Sequence, residues 1–205
     1  MILSNVELHR ALDDGRLVIK PEPKPRRPAV GQAECPYNTH SVDLRLAPEI
    51  SVPPSGPFIY DPNSPGVSGF IYQVANRIQL DDDRTYTLRP NHFVLGMTQE
   101  WIGLPILTGQ ACLAARIEGK SSRARLGLLV HFTAPTVHPG FEGNLTLEII
   151  NLGHAEILLR PGMAIAQLIV EQVLGTPFEN PSQFQNQSTP EGVAGGDEAS
   201  GSKPA

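Results

Sequence analysis

From residue 41 to residue 170 the chain is a succession of short runs in which apolar and polar residues alternate, each cut off by Pro, Gly, Asn or Asp. Alternation sends one side of a run into a core and the other outward, and the frequent turn residues leave no room for long helices. The runs are SVDLRL at 41–46, TYTL at 85–88, FVLGMT at 93–98, CLAARI at 112–117, LLVHF at 128–132, LTLEII at 145–150, EILL at 156–159 and IAQLIV at 165–170. Many short strands at close spacing predict a mainly β domain, folded as a sandwich or barrel. One helix is expected at the start, where Ser4 and Glu7 fit a capping box ahead of Val6, Leu8, Ala11 and Leu12, and it ends near Gly15. Residues 17–20 then read as a strand, and residues 21–28, with prolines at 21, 23, 25 and 28, as an extended connector. The polar stretch 121–127 suits a helical turn between two strands, projecting Ser121 and Arg125 from one face.

At 205 residues the chain is long enough for one domain, expected over 1–175. From about residue 176 the composition shifts to Pro, Gly, Gln, Asn, Ser and Glu, so 176–205 is expected to be a tail that is disordered without ligand. Sixteen Lys and Arg against 21 Asp and Glu leave a net charge of −5, which argues against broad binding to nucleic acid while allowing a local cationic pocket for one nucleotide. Cys35 and Cys112 are the only cysteines and lack CxxC spacing, so neither a disulfide framework nor a cysteine-rich zinc site is expected. The N-terminus lacks a basic start with an apolar run, and no stretch of eighteen apolar residues occurs. A soluble cytoplasmic protein without a membrane partner is the expectation.

The segment EGKSSRARLGL at 118–128, followed by HPGFEG at 138–143 and LTLEI at 145–149, concentrates the chemistry. Gly119, Lys120, Ser121, Ser122 and Arg125 can bring backbone amides, hydroxyls and two cations onto phosphate oxygens. This is no P-loop, since Ala114 stands where that motif needs its first glycine. Each residue also has an ordinary reading. The serines and Arg125 could form a polar turn, Lys120 could pair with Glu118, Phe141 could fill the core, and His138 could cap the turn before Pro139. Glu148 could be a solvent-facing strand carboxylate sharing its face with Thr146, or part of a salt bridge between subunits. His131 reads as a satisfied histidine within a strand, residues 81–83 as an exposed acidic loop, and Trp101 as core or interface packing.

With frame and cluster in view, the chain resembles the dCTP deaminase family, a branch of the trimeric dUTPase-like superfamily. The likeness runs from MILS at 1–4 and GRLVI at 15–19, through SVDLRL at 41–46 and FVLGMT at 93–98, to RPGM at 160–163 and IAQL at 165–168. Its most specific piece is 118–128, with a basic residue, two serines and an arginine four residues after the first serine. The resemblance implies a distorted β-sandwich or barrel of the dUTPase-like (β-clip) type. It implies a homotrimer with sites at subunit boundaries, and zinc-independent hydrolysis of dCTP to dUTP and ammonia in pyrimidine deoxynucleotide metabolism. Zinc is not expected, because the arrangement of H-x-E with P-C-x-x-C that a zinc deaminase needs is absent. Magnesium accompanies the triphosphate, and dTTP is expected to compete as an inhibitor in the same pocket.

By the same resemblance Glu148 is the general base, Ser121 and a backbone carbonyl near Ala134 orient the water, and Arg125 steadies the developing charge. Lys120 and Ser122 hold phosphates, the backbone around Ala134 and Val137 reads the base edge, and Phe141 lies against the deoxyribose. His138 sits by the sugar, and Gln187 closes a lid. Departures from the family fall in two places. His138 stands where an aspartate is usual, in VHPG at 137–140, which speaks against diphosphate release because a histidine lacks the permanent negative charge. In the tail, Gln183 and Phe184 replace a Lys-Tyr pair. Three readings stay open: a dCTP deaminase releasing dUTP, a bifunctional enzyme giving dUMP, and a catalytically weak regulatory trimer that binds deoxynucleotides.

Overall fold

The computed structural model describes residues 1–31, 34–57, 59–61, 67–178, 180 and 184–192. Three helices are found among them, α1 (Asn5–Asp13), α2 (Val67–Val74) and α3 (Ser121–Ala124). The strands are β1 (Val18–Lys20), β2 (Val42–Arg45), β3 (Glu49–Val52), β4 (Asn76–Gln79), β5 (Tyr86–Leu88), β6 (Phe93–Gly103), β7 (Leu113–Gly119), β8 (Leu128–Val130), β9 (Thr136–Val137), β10 (Glu142–Asn151), β11 (Ile157–Leu159) and β12 (Ala164–Gln172). The mainly β architecture expected from the alternation is present. One sheet runs β4-β3-β6-β10-β8 with β1 added on β6, a second runs β2-β12-β7-β9, and β5 pairs with β11. No helix among the described residues is long and apolar enough to cross a membrane.

Burial follows the pattern in the sequence. Leu44 and Leu46, Leu113 and Ile117, Leu145, Leu147 and Ile149, and Ile165 and Leu168 all turn into one contiguous core shared by the two larger sheets. Burying such a side chain is worth about 1.5–3 kcal/mol, so the alternating runs drive the sheets together. The N-terminus joins the same core. Leu8 and Ala11 of α1 are fully buried, Leu3 N donates to Val170 O at 2.9 Å, and Gln172 N donates to Met1 O at 2.9 Å. Ser4 Oγ accepts from Glu7 N at 3.4 Å as its capping role requires. The reciprocal half of the box is replaced by a pairing of Glu7 with Arg10 at 2.6 Å, since the i,i+3 spacing brings those side chains together.

The central strand departs most from the sequence reading. β6 extends to Gly103, well past the expected end at Thr98, and carries Trp101 half-buried beneath Lys20, whose Nζ lies 5.4 Å from the ring centroid. Between the pairs Asn144↔Trp101 and Thr146↔Met97, β6 advances four residues while β10 advances two. The irregularity is held by side chains: Thr98 Oγ1 accepts from Leu145 N at 2.9 Å and donates to Glu100 O at 2.7 Å. Glu100, fully buried, accepts from Arg45 N at 2.8 Å and from Arg45 Nε at 2.7 Å, tying β6 to β2. A buried carboxylate is tolerated there because both its oxygens are bonded. Residues 81–83 form an exposed turn in which Asp81 Oδ1 accepts from the backbone of Asp83 and Arg84, as expected of an acidic loop.

The turn from α3 into β8 depends on Gly127, with φ of 89° and a carbonyl that accepts from Leu152 N at 2.8 Å. A Cβ at Gly127 would overlap the backbone nitrogen of Gly153. The variant G127A is expected to lose about 2 to 3 kcal/mol of stability, through strain at positive φ added to backbone overlap. Urea unfolding measures this, and an unchanged midpoint would contradict the close approach.

Candidate active site

Strand β10 sets the site. Leu145, Leu147 and Ile149 face the core, so Thr146 and Glu148 point the other way, into a cavity of about 810 Å³. Glu148 is anchored through its backbone: it pairs with Leu95 of β6, and its carbonyl accepts from His131 N at 2.8 Å. Just after β8, His131 has φ of 52°, in the left-handed region. That turn swings the imidazole off the line of the strand and over β10. Its Nδ1 approaches Glu148 Oε2 to 2.5 Å, and its Nε2 lies 2.8 Å from the carbonyl oxygen of Ala134.

The two contacts differ in quality. A carbonyl only accepts, so Nε2 carries a hydrogen and donates to Ala134 O. The Nδ1 to Oε2 approach is close but lies outside the angular range of a hydrogen bond, and both atoms are buried with no hydrogen-bond partner among the described residues. The Glu148 side chain keeps 30 % of its surface exposed and that of His131 only 11 %, so the glutamate is the more open of the two to the cavity. A carboxylate, an imidazole and a carbonyl oxygen thus converge at one wall, an arrangement able to take up and return protons.

Of the ten residues singled out from sequence, six line this cavity: Ala134, Val137, His138, Phe141, Glu148 and Gln187. Val137 is held by the pairing of β9 with β7, and Phe141 is buried with its carbonyl accepting from Leu104 N at 2.9 Å. His138 is exposed, and Gln187 is buried with Nε2 donating to Asn144 O at 2.6 Å. The other four, Lys120, Ser121, Ser122 and Arg125, lie off this cavity. Ser121, Ser122 and Arg125 are exposed on and beside α3. Lys120, at the helix N-cap, is paired with Asp43 of β2 rather than with Glu118, and Asp43 also accepts from Asn38 Nδ2 at 3.1 Å and Gln167 Nε2 at 3.3 Å. Glu118 is 3.4 Å from Arg116 Nε.

His131 and Thr146, read from the sequence only as a strand histidine and a companion of Glu148 on its face, and Gln185 and Glu191, not singled out there, all line the cavity. Alternation with Glu148 already placed Thr146 on the right face. Nothing local marked His131, whose role follows from a positive-φ turn, or Gln185 and Glu191, which reach the cavity only because the tail folds back. Residues 184–192, expected to be loose without ligand, are fastened to the start of β10. Asn186 N donates to Glu142 O at 2.7 Å, Gln185 Nε2 to Gly140 O at 2.8 Å, and Asn144 N to Gln187 O at 3.2 Å. Phe184 stands at the cavity rim, while Gln183 lies outside the described residues.

The profile of the dCTP deaminase-like family matches residues 2–173. A dCTP deaminase from Haloarcula marismortui is 35 % identical over 199 residues, covering 93 % of each chain. A dUMP-forming dCTP deaminase from Dictyoglomus thermophilum is 34 % identical over 197 residues, covering 93 % of this chain and 92 % of its own. Among solved structures, the 2'-deoxycytidine 5'-triphosphate deaminase from Agrobacterium tumefaciens superposes with a TM-score of 0.59 at 20 % identity over 82 % of this chain. The match spans 47 % of that longer chain, about half its length, and it concerns the fold.

Proposed function

Because the chain belongs to the dCTP deaminase-like family, we propose that this enzyme hydrolyses dCTP to dUTP and ammonia, with Glu148 as the general base. The observation that carries this reading is the convergence of Glu148, His131 and the Ala134 carbonyl at the wall of a cavity also lined by Val137, His138 and Phe141. Glu148 takes one proton from water as its oxygen attacks C4 of the cytosine, and passes it to N3. The new hydroxyl then gives its remaining proton, again through Glu148, to the amino group, which leaves as ammonia as the C4 carbonyl forms. Atoms balance as dCTP plus water giving dUTP plus ammonia. In the present geometry the His131 ring spans both Glu148 and Ala134 O, so a water held by those two groups requires the ring to shift.

Ser121 and Arg125 complete the water and charge-stabilising set only if they come from a neighbouring subunit, because in their own chain they lie away from the cavity. This supports a homotrimer with sites at its subunit boundaries, in which Lys120 and Ser122 serve phosphates. Magnesium arrives with the triphosphate. No cluster of three His, Cys, Asp or Glu among the described residues is placed to cage an ion, so protein ligation is given no step.

A second reading, in which dUTP is carried on to dUMP and diphosphate, is favoured by the names of several relatives. His138 weighs against it, since a rim histidine lacks the permanent charge of the usual aspartate. A chromatographic time course with dCTP and magnesium, assaying ammonia, separates these readings. Accumulating dUTP with matching ammonia is the expected result. dUMP as end product would establish the second reading, and nucleotide binding without ammonia would leave only a regulatory trimer.

A further inference from the structure

The folded-back tail carries a carboxylate that the deamination chemistry leaves unused. Glu191 is only 6 % exposed, lines the same cavity as Glu148, and has no hydrogen-bond partner on either oxygen among the described residues. Ser51, Leu95 and Glu148 stand in one row across β3, β6 and β10, and Met97 and Thr146 stand in the next, two residues along. Burial pushes the Glu49 carboxyl up, Arg77 opposes this, and Glu191 adds to the rise; Glu191 also acts on Arg77. Glu191 therefore shares the cavity with Thr146 and Glu148 and lies within electrostatic reach of Glu49 and Arg77.

The side of the cavity lined by the tail is rich in acceptors. Among the described residues, both oxygens of Glu191 and Oε1 of Gln185 are buried without a hydrogen-bond partner, and the Thr146 hydroxyl in the same cavity is in the same condition. Buried acceptors are satisfied only by donors, and a phosphate offers none at neutral pH. We propose that Glu191 is a specificity-determining residue that accepts a hydrogen bond from the nucleoside half of the ligand and keeps phosphate away from this side. The donor is an N–H or O–H group, either the 4-amino group of the base or the 3'-hydroxyl of the sugar. The inference rests on the deaminase reading.

The test compares wild type with E191A and the near-isosteric E191Q. It measures kcat/KM for dCTP and for 2',3'-dideoxy-CTP, and inhibition constants for dUTP, which has a carbonyl in place of the amine. If the sugar hydroxyl is the donor, E191A lowers kcat/KM for dCTP about tenfold or more and leaves the dideoxy substrate within twofold. If the amine is the donor, the preference for dCTP over dUTP falls about tenfold or more and the dideoxy ratio stays put. E191Q shifts the same ratio in the same direction by less, with an unchanged melting midpoint. Both ratios within twofold of wild type would overturn the assignment. Should wild type bind dCTP without deaminating it, the deaminase reading falls alone, and equilibrium dissociation constants for the three nucleotides read the same ratios.

Discussion

The variant E148Q is expected to lose about 10²- to 10⁴-fold in kcat for ammonia release from dCTP while binding the nucleotide within a few-fold of wild type. Gln keeps the length and shape of the side chain, and an amide oxygen can still face the His131 ring. What disappears is the ability to accept a proton from water and return it. The backbone that positions residue 148 is independent of the carboxylate: the pairing with Leu95 and the bond from His131 N persist in the variant. A split between turnover and binding therefore separates a general base from a merely structural carboxylate, whose loss would lower the melting midpoint and binding together. Ammonia assay and titration calorimetry on one preparation decide it, and near-normal turnover would remove Glu148 from the mechanism.

Co-expression of two inactive variants carries the second large effect. R125A alone is expected to fall about 10²- to 10³-fold, as when one charge-stabilising donor is removed from an active site. If each site takes Glu148 from one subunit and Arg125 from the next, random mixing of E148Q and R125A chains leaves both groups intact in about one quarter of the sites. Activity near a quarter of wild type would then return from two nearly dead proteins. The basis is geometric, since Arg125 is exposed and off the cavity that holds Glu148 of the same chain. Mixed assemblies, verified by mass, that stay as inactive as either parent would place the whole site within one chain.

The residues of the cavity are marked in the sequence to different degrees. Glu148 and its neighbour Thr146 were legible because alternation on one strand assigns faces, and β10 keeps that alternation along its whole length. Val137, His138 and Phe141 were legible through the family likeness of 137–143, and all three line the cavity. His131 sits in a run that alternates like a strand, yet its φ of 52° breaks the strand and turns the ring onto Glu148, seventeen residues away in sequence. Lys120 was weighed against Glu118 because they are close in sequence, whereas its partner is Asp43, seventy-seven residues distant. Helix α2, β3 and β4 were not anticipated, since their short runs carry neither clear alternation nor caps.

By itself the sequence determined the period-two habit, the buried face of β10, the N-terminal helix and the family. These properties are carried by neighbours along the chain, where side-chain spacing and turn chemistry suffice. The tertiary structure alone decided that His131 bridges Glu148 and Ala134, that α3 stands apart from the cavity of its own chain, and that the tail returns with Glu191 buried inside. The reason is physical: such contacts join segments far apart in sequence, and their geometry is set by strand register, by one irregularity between β6 and β10, and by single residues at positive φ.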